Sequence, residues 1–314
     1  MSELAFGIAA VVLSGLMYLF AWRYQQKHLY LPAVLLLIAG GLFLRVFAAC
    51  DFFLHPSDER YHALVAKNLM NHPLVPMLYE HPLLDFDYRS WISNHVWLHK
   101  QPLSLWIMAG SMKLFGANEI ALRLPSIIFT SIGVYFTYVI GKHFFDRRIG
   151  FLAAFFFSLN GLIIELVAGR VPSDHVDIAF LFFIEAAIFF SVLFVRKQKT
   201  AYNILAGIFL DATYFSTFSP ARIVGPVWLM LVMDTKTFKT KHILLQFLLM
   251  ASLATLVFLP WQIYIFRAFP LEASWESNFN FRHLTEVIEC RGGPFYFVLD
   301  SMRINYGELI YLLM

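Results

Sequence analysis

Long apolar runs recur along the chain, near residues 4–22, 30–50, 120–141, 149–168, 177–195, 201–216, 222–233, 243–266 and 294–314. About 20 helical residues cross a hydrocarbon core. Inside lipid, only helices and closed barrels satisfy their own backbone polar groups. Runs of this length predict an all-α polytopic membrane protein. The runs at 201–216 and 222–233 are short and flank Ser219-Pro220, which predicts tilted or broken helices there. The last run is interrupted by Asp300, Arg303 and Glu308. Of the 314 residues 59% are apolar and 14% charged, with a mean hydropathy of +0.65. A soluble domain is roughly one quarter charged. The first run has no basic leader and no small-residue cleavage site, so it reads as a transmembrane helix rather than a signal peptide.

The links between runs alternate in character. Segments 23–28, 142–148, 196–199 and 236–241 are short and basic, and the positive-inside rule makes them cytoplasmic. The other connections, 51–119, 169–176, 217–221 and 267–293, then share the opposite, extracytoplasmic face. The net charge of +3 is small and the basic residues lie in these short links, so they read as topology signals rather than a nucleic-acid surface. Cys50 and Cys290 both fall on the outer side. Their spacing is not that of a metal site, and they read as unrelated thiols, with a disulfide as the alternative.

The loop 51–119 is too long for a turn. Ser57 is a natural N-cap, and Tyr61, Leu64, Val65 and Leu69 follow at helical spacing, which predicts an amphipathic helix suited to the membrane surface. A second helix is predicted over 102–115, opened by Pro102 and closed by Gly116. Both are juxtamembrane elements of a single transmembrane domain, 1–314.

Charged groups gather on the outer side. Asp58 and Glu59 begin a helix, where acids complement the macrodipole. The functional reading is a carboxylate at the water–lipid boundary acting as a general base. Lys100, in His99-Lys100-Gln101-Pro102, is read either as snorkelling to the interface or as a cation for a lipid-linked phosphate. The tight loop Gly169-Arg170-Val171-Pro172-Ser173-Asp174-His175-Val176-Asp177 holds two acids and an arginine, more than helix capping needs. Arg60 and Arg282 are further outer cations, and His99 with His283 could ligate a divalent ion. Within the helices, Arg45 and Glu165 lie near outer ends, either paired or reaching water. Glu185 and Asp211 lie deeper, where hydrogen bonds across the bundle are expected and an ion pathway is the alternative.

Several pieces occur in a specific order: Ser57-Asp58-Glu59-Arg60-Tyr61, His99-Lys100-Gln101-Pro102-Leu103, Leu114-Phe115-Gly116-Ala117-Asn118-Glu119, Arg123-Leu124-Pro125-Ser126, Pro172-Ser173-Asp174 and Leu259-Pro260-Trp261. This series resembles the polytopic glycosyltransferases that take sugar from a polyprenyl-phosphate carrier. These include the protein O-mannosyltransferases of glycosyltransferase family 39 and the bacterial lipid A aminoarabinose transferases, both of the GT-C fold. The resemblance implies a GT-C-like bundle and inverting transfer to a hydroxyl or phosphate acceptor, on a lipid, glycan or protein, at the extracytoplasmic face of a bacterial inner membrane or its equivalent. By the resemblance Asp58 is the base or acceptor-orienting acid. Asp174 is a second catalytic acid, with Asp177 as its alternative, and Glu59 a third candidate. Lys100, helped by Arg60, Arg170 and Arg282, would meet the donor phosphate. His99, where the aminoarabinose transferases carry glutamate, and His283 would be the metal positions. Family members are usually longer and often carry a soluble carboxy-terminal domain, which this chain is expected to lack. A flippase for lipid-linked sugars and a noncatalytic subunit of the same fold are the competing readings.

Overall fold

The computed structural model describes residues 3–287 apart from 57, 84, 86, 91, 173, 217–223, 235–238, 257 and 283–284. Ser57, His283, Cys290 and the run 294–314 therefore lie outside the described residues. The helices are α1 (Glu3–Gln26), α2 (Tyr30–Ala49), α3 (Asp58–Leu69), α4 (Pro102–Phe115), α5 (Glu119–Phe144), α6 (Arg147–Leu159), α7 (Gly161–Val167), α8 (Asp174–Lys197), α9 (Thr200–Tyr214), α10 (Val224–Asp234), α11 (Thr240–Leu253), α12 (Phe258–Ala268) and α13 (Pro270–Arg282). Among the described residues, β pairing is confined to an isolated antiparallel bridge between Met77 and Val96.

Among the described residues, five segments are long and apolar enough to cross a membrane: Leu4–Gln26, Tyr30–Ala49, Glu119–Phe144, Asp174–Lys197 and Thr240–Ala268. A sixth is the pair α6 and α7, bent by 47°. Side-chain acceptors start several helices. Asn118 caps α5, Asp146 caps α6 and Asn160 caps α7, each accepting from backbone N–H groups of the first turn. α4 begins on Pro102 and ends at Gly116, whose φ of 92° suits a residue without a Cβ.

The bundle core joins α1, α2, α5, α6 and α8. Phenylalanines fill it, with Phe129 stacked on Phe182 at 4.3 Å and Phe136 on Phe189 at 4.6 Å. α5 and α6 approach closely because Gly150 faces backbone; a Cβ there would lie 2.7 Å from the Lys142 nitrogen. The bend between α6 and α7 frees carbonyls that lipid cannot satisfy. Arg45, fully buried in α2, donates to the Ser158 carbonyl at 3.3 Å, and the Tyr18 and Ser158 hydroxyls are 2.7 Å apart. Arg45 thus serves the bend. Its expected alternatives, pairing with Glu165 or reaching water, do not hold; Glu165 pairs with Arg170 at 3.1 Å. Glu185 accepts from the Thr137 hydroxyl at 2.9 Å, and Asp211 accepts from the Phe258 N–H at 3.1 Å, as cross-bundle bonds.

α3 does not lie alone on a lipid surface. Its Ala63, Val65, Ala66 and Leu69 are buried against Leu105, Met108 and Met112 of α4 and Leu122 of α5, while Leu64 stays exposed. His62 and Asn68 share the buried face, so the stripe is more polar than the apolar spacing alone predicts.

Candidate active site

The start of α3 is held by a buried ion pair. Arg123, on α5, grips Glu59 with two hydrogen bonds, at 2.7 and 3.0 Å. Its remaining N–H groups reach the carbonyls of Ala49, Asp51 and Phe53, so all five guanidinium donors are used. Glu59 also accepts from the His55 N–H at 2.6 Å and lies 3.3 Å from the His175 ring. The other His175 ring nitrogen meets the Ser126 hydroxyl at 3.0 Å. Gly169, with φ of 75°, leaves room for this group; a Cβ there would collide with the Glu59 carboxyl. Burial pushes the Glu59 carboxyl up, but the hydrogen bonds from His175 and Arg123 outweigh it and hold it below the usual carboxylate range.

A second buried contact joins α3 to α8. His62 Nδ1 lies 2.8 Å from Asp174 Oδ1, and both side chains are almost wholly excluded from solvent. Asp174 also accepts from the His175 N–H, and its φ of 29° places it in the left-handed region.

Three charged groups gather beyond these anchors. Asp177, one turn along α8 from Asp174, is exposed. It is within electrostatic reach of Lys100, Asp174, His62 and Asp58. Lys100 and Asp58 are both half-buried. Segments 58, 100 and 177 thus converge at one end of the bundle. Trp97 is buried, and its ring meets His62 edge-on at 5.7 Å and His99 at 5.6 Å. His99 Nδ1 is 3.2 Å from Glu276 of α13, tying that helix to the loop before α4.

Two of the expected catalytic acids are placed differently. Glu59 is 1% exposed and Asp174 is 0% exposed, both engaged by neighbours, so neither reaches a substrate as placed. Of the two acids in the first turn of α8, Asp177 is the exposed one. The expected phosphate cations also separate. Lys100 is in the cluster. Arg60 is exposed and donates to the Leu54 carbonyl at 3.2 Å. Arg170 is held by Asp51 at 2.7 Å and Glu165 at 3.1 Å. Arg282 pairs with Glu286 at 2.8 Å in the exposed end of α13. Among the described residues no group of three or more His, Cys, Asp or Glu side chains is placed to hold a metal ion, and His283, one of the two expected metal positions, lies outside them. His99 is instead hydrogen-bonded to Glu276. Cys50 is a free, half-buried thiol.

A family profile described as dolichyl-phosphate-mannose-protein mannosyltransferase matches residues 99–264. Among solved structures, the chain is similar to the archaeal oligosaccharyltransferase AglB from Archaeoglobus fulgidus, determined in complex with an inhibitory peptide and a dolichol-phosphate. The TM-score is 0.52 at 14% identity, covering 88% of this chain and 43% of that one. The likeness establishes a common GT-C fold, and the chain spans less than half the length of that structure. No curated protein sequence matches it.

Proposed function

Because the chain belongs to the dolichyl-phosphate-mannose-protein mannosyltransferase family, we propose that it transfers a sugar from a polyprenyl-phosphate carrier to a hydroxyl or phosphate acceptor. The observation that carries this reading is that Asp58 and Lys100 both lie within electrostatic reach of Asp177 at the end of the bundle. A cation and two carboxylates from three distant segments are what such a transfer needs. Lys100 receives the donor phosphate, whose negative charge grows as the sugar–oxygen bond breaks. Asp58 takes the acceptor proton as the new bond forms at the anomeric carbon, from the face opposite the leaving phosphate, which inverts that centre. Asp177 orients the acceptor.

The reacting face is extracytoplasmic. Lys142, Arg147 and Arg196, which belong to the short basic links, lie within reach of one another at the ends of α5, α6 and α8. The positive-inside rule assigns that end to the cytoplasm.

The test is a transfer assay in proteoliposomes with a labelled polyprenyl-phosphate sugar. A hydrogen bond to a charged group contributes roughly 1.5–3 kcal/mol. Lys100→Ala is therefore expected to raise the donor KM by about 10- to 100-fold, with a smaller change in kcat. Donor affinity unchanged by this substitution would remove Lys100 from the phosphate. Wild-type protein that binds donor but labels no hydroxyl or phosphate acceptor would overturn the assignment itself.

A further inference from the structure

We propose that His62 is a positioning residue: its hydrogen bond to Asp174 pins α3 to α8 and sets the separation of Asp58 and Asp177. The kinetic consequence rests on the reading of those two acids given above, whereas the pin stands on geometry alone.

Asp58 and His62 are four residues apart on α3, and Asp174 and Asp177 three apart on α8, so each pair shares one face of its helix. Each helix thus carries one solvent-accessible acid and, a turn away, one member of the buried contact. The bond of 2.8 Å between His62 Nδ1 and Asp174 Oδ1 joins the two helices at that inner level. Asp174 is itself fixed by the His175 N–H and by its left-handed backbone. The Trp97 ring, edge-on at 5.7 Å, restrains the imidazole.

The pair is unlike a pair kept only for stability. Buried polar groups are costly unless satisfied. Arg123 and Glu59, which already clamp the start of α3, use every guanidinium donor. In contrast, His62 Nε2 and Asp174 Oδ2 are buried and have no hydrogen-bond partner among the described residues. A second, incompletely satisfied polar contact beside a complete one adds little holding power. What it adds is register. It fixes where Asp58 stands relative to Asp177.

The experiment uses the full chain in lipid nanodiscs and has two arms. In the kinetic arm, His62→Leu is expected to lower kcat by about 100-fold, the usual scale for a displacement of about 1 Å, with the donor KM within about twofold. His62→Asn keeps a donor near the Nδ1 position and is expected to recover most of the loss. In the geometric arm, Asp58→Cys and Asp177→Cys are combined in a Cys50→Ser, Cys290→Ser background and treated with a short bifunctional thiol reagent. The cross-linking yield should be high with His62, several-fold lower with His62→Leu, and restored by His62→Asn. If the leucine variant does not fold, His62→Ser, too short to reach Asp174, replaces it. Equal cross-linking in all variants would overturn the proposal whatever the kinetics, as would an asparagine variant as impaired as leucine in both arms. A wild-type protein that transfers no sugar while the cross-linking follows the expected order retains the pin and loses only the assigned reaction.

Discussion

Arg123→Leu is expected to cost about 3–5 kcal/mol of folding stability, the usual range when one partner of a buried ion pair is removed. The loss should persist when Glu59 is replaced by leucine as well. Buried ion pairs can often be exchanged for apolar residues at little cost. This one differs because Arg123 also serves the carbonyls of Ala49, Asp51 and Phe53. Each carbonyl left without a partner costs about 1–3 kcal/mol, and the double leucine variant orphans all three. Arg123→Lys should fare little better, since an ammonium cannot present a planar fork to a carboxylate and three carbonyls. The measurement is chemical unfolding in detergent. A double leucine variant as stable as wild type would refute this account. The same group governs acid behaviour. The folded-state pKa of Glu59 is depressed, so its contribution is complete above the ordinary glutamate value of about 4.3. It is lost as the pH falls through the lowered pKa. The stability gap between wild type and Glu59→Gln should therefore be full near neutrality and close in strong acid.

Asp58→Asn is expected to abolish most transfer, by about 10²–10⁴-fold in kcat, the usual contribution of a general base. Donor affinity should hardly change, because Lys100 is untouched. Glu59→Gln, one residue away, should instead appear mainly in stability, because Glu59 is sealed against Arg123 and His175. Adjacent carboxylates with opposite phenotypes are thus the signature of this site. Transfer by Asp58→Asn at the wild-type rate would take the base role from Asp58. A kinetic defect in Glu59→Gln with unchanged unfolding would place Glu59 in the reaction rather than in the buried clamp.

Much of the bundle was legible from hydrophobic periodicity. The runs at 30–50 and 120–141 match the helices Tyr30–Ala49 and Glu119–Phe144, and the juxtamembrane helix read over 102–115 is Pro102–Phe115. The bend inside 149–168 was hidden because hydropathy is continuous through it. Its signal was Asn160-Gly161, a capping residue followed by a helix breaker. Likewise the run 243–266 divides into α11 and α12, with Pro260 near the division. At the site, convergence of segments was expected, but the choice between Asp174 and Asp177 as the exposed acid was left open. Asp174 and Asp177 lie in one helical turn, and each residue of uncertainty in where that turn starts rotates the face by about 100°. His62, Arg123 and His175 were missed as functional residues because their partners are 112, 64 and 116 residues away in sequence. No local pattern encodes such pairings.

The bend at Asn160 has a consequence for the surrounding lipid. α6 has 13 residues and α7 seven, with 47° between them. At 1.5 Å per residue the pair reaches only about 27 Å along the α6 axis, whereas α5 beside it reaches about 39 Å. A hydrocarbon core is about 30 Å thick, and a bilayer meets a short segment by thinning around it. A shortfall against the hydrocarbon core should therefore arise at this flank. Stability measured across phosphatidylcholines of increasing acyl length should peak in thin bilayers. A flat response would mean that other helices screen the flank from lipid.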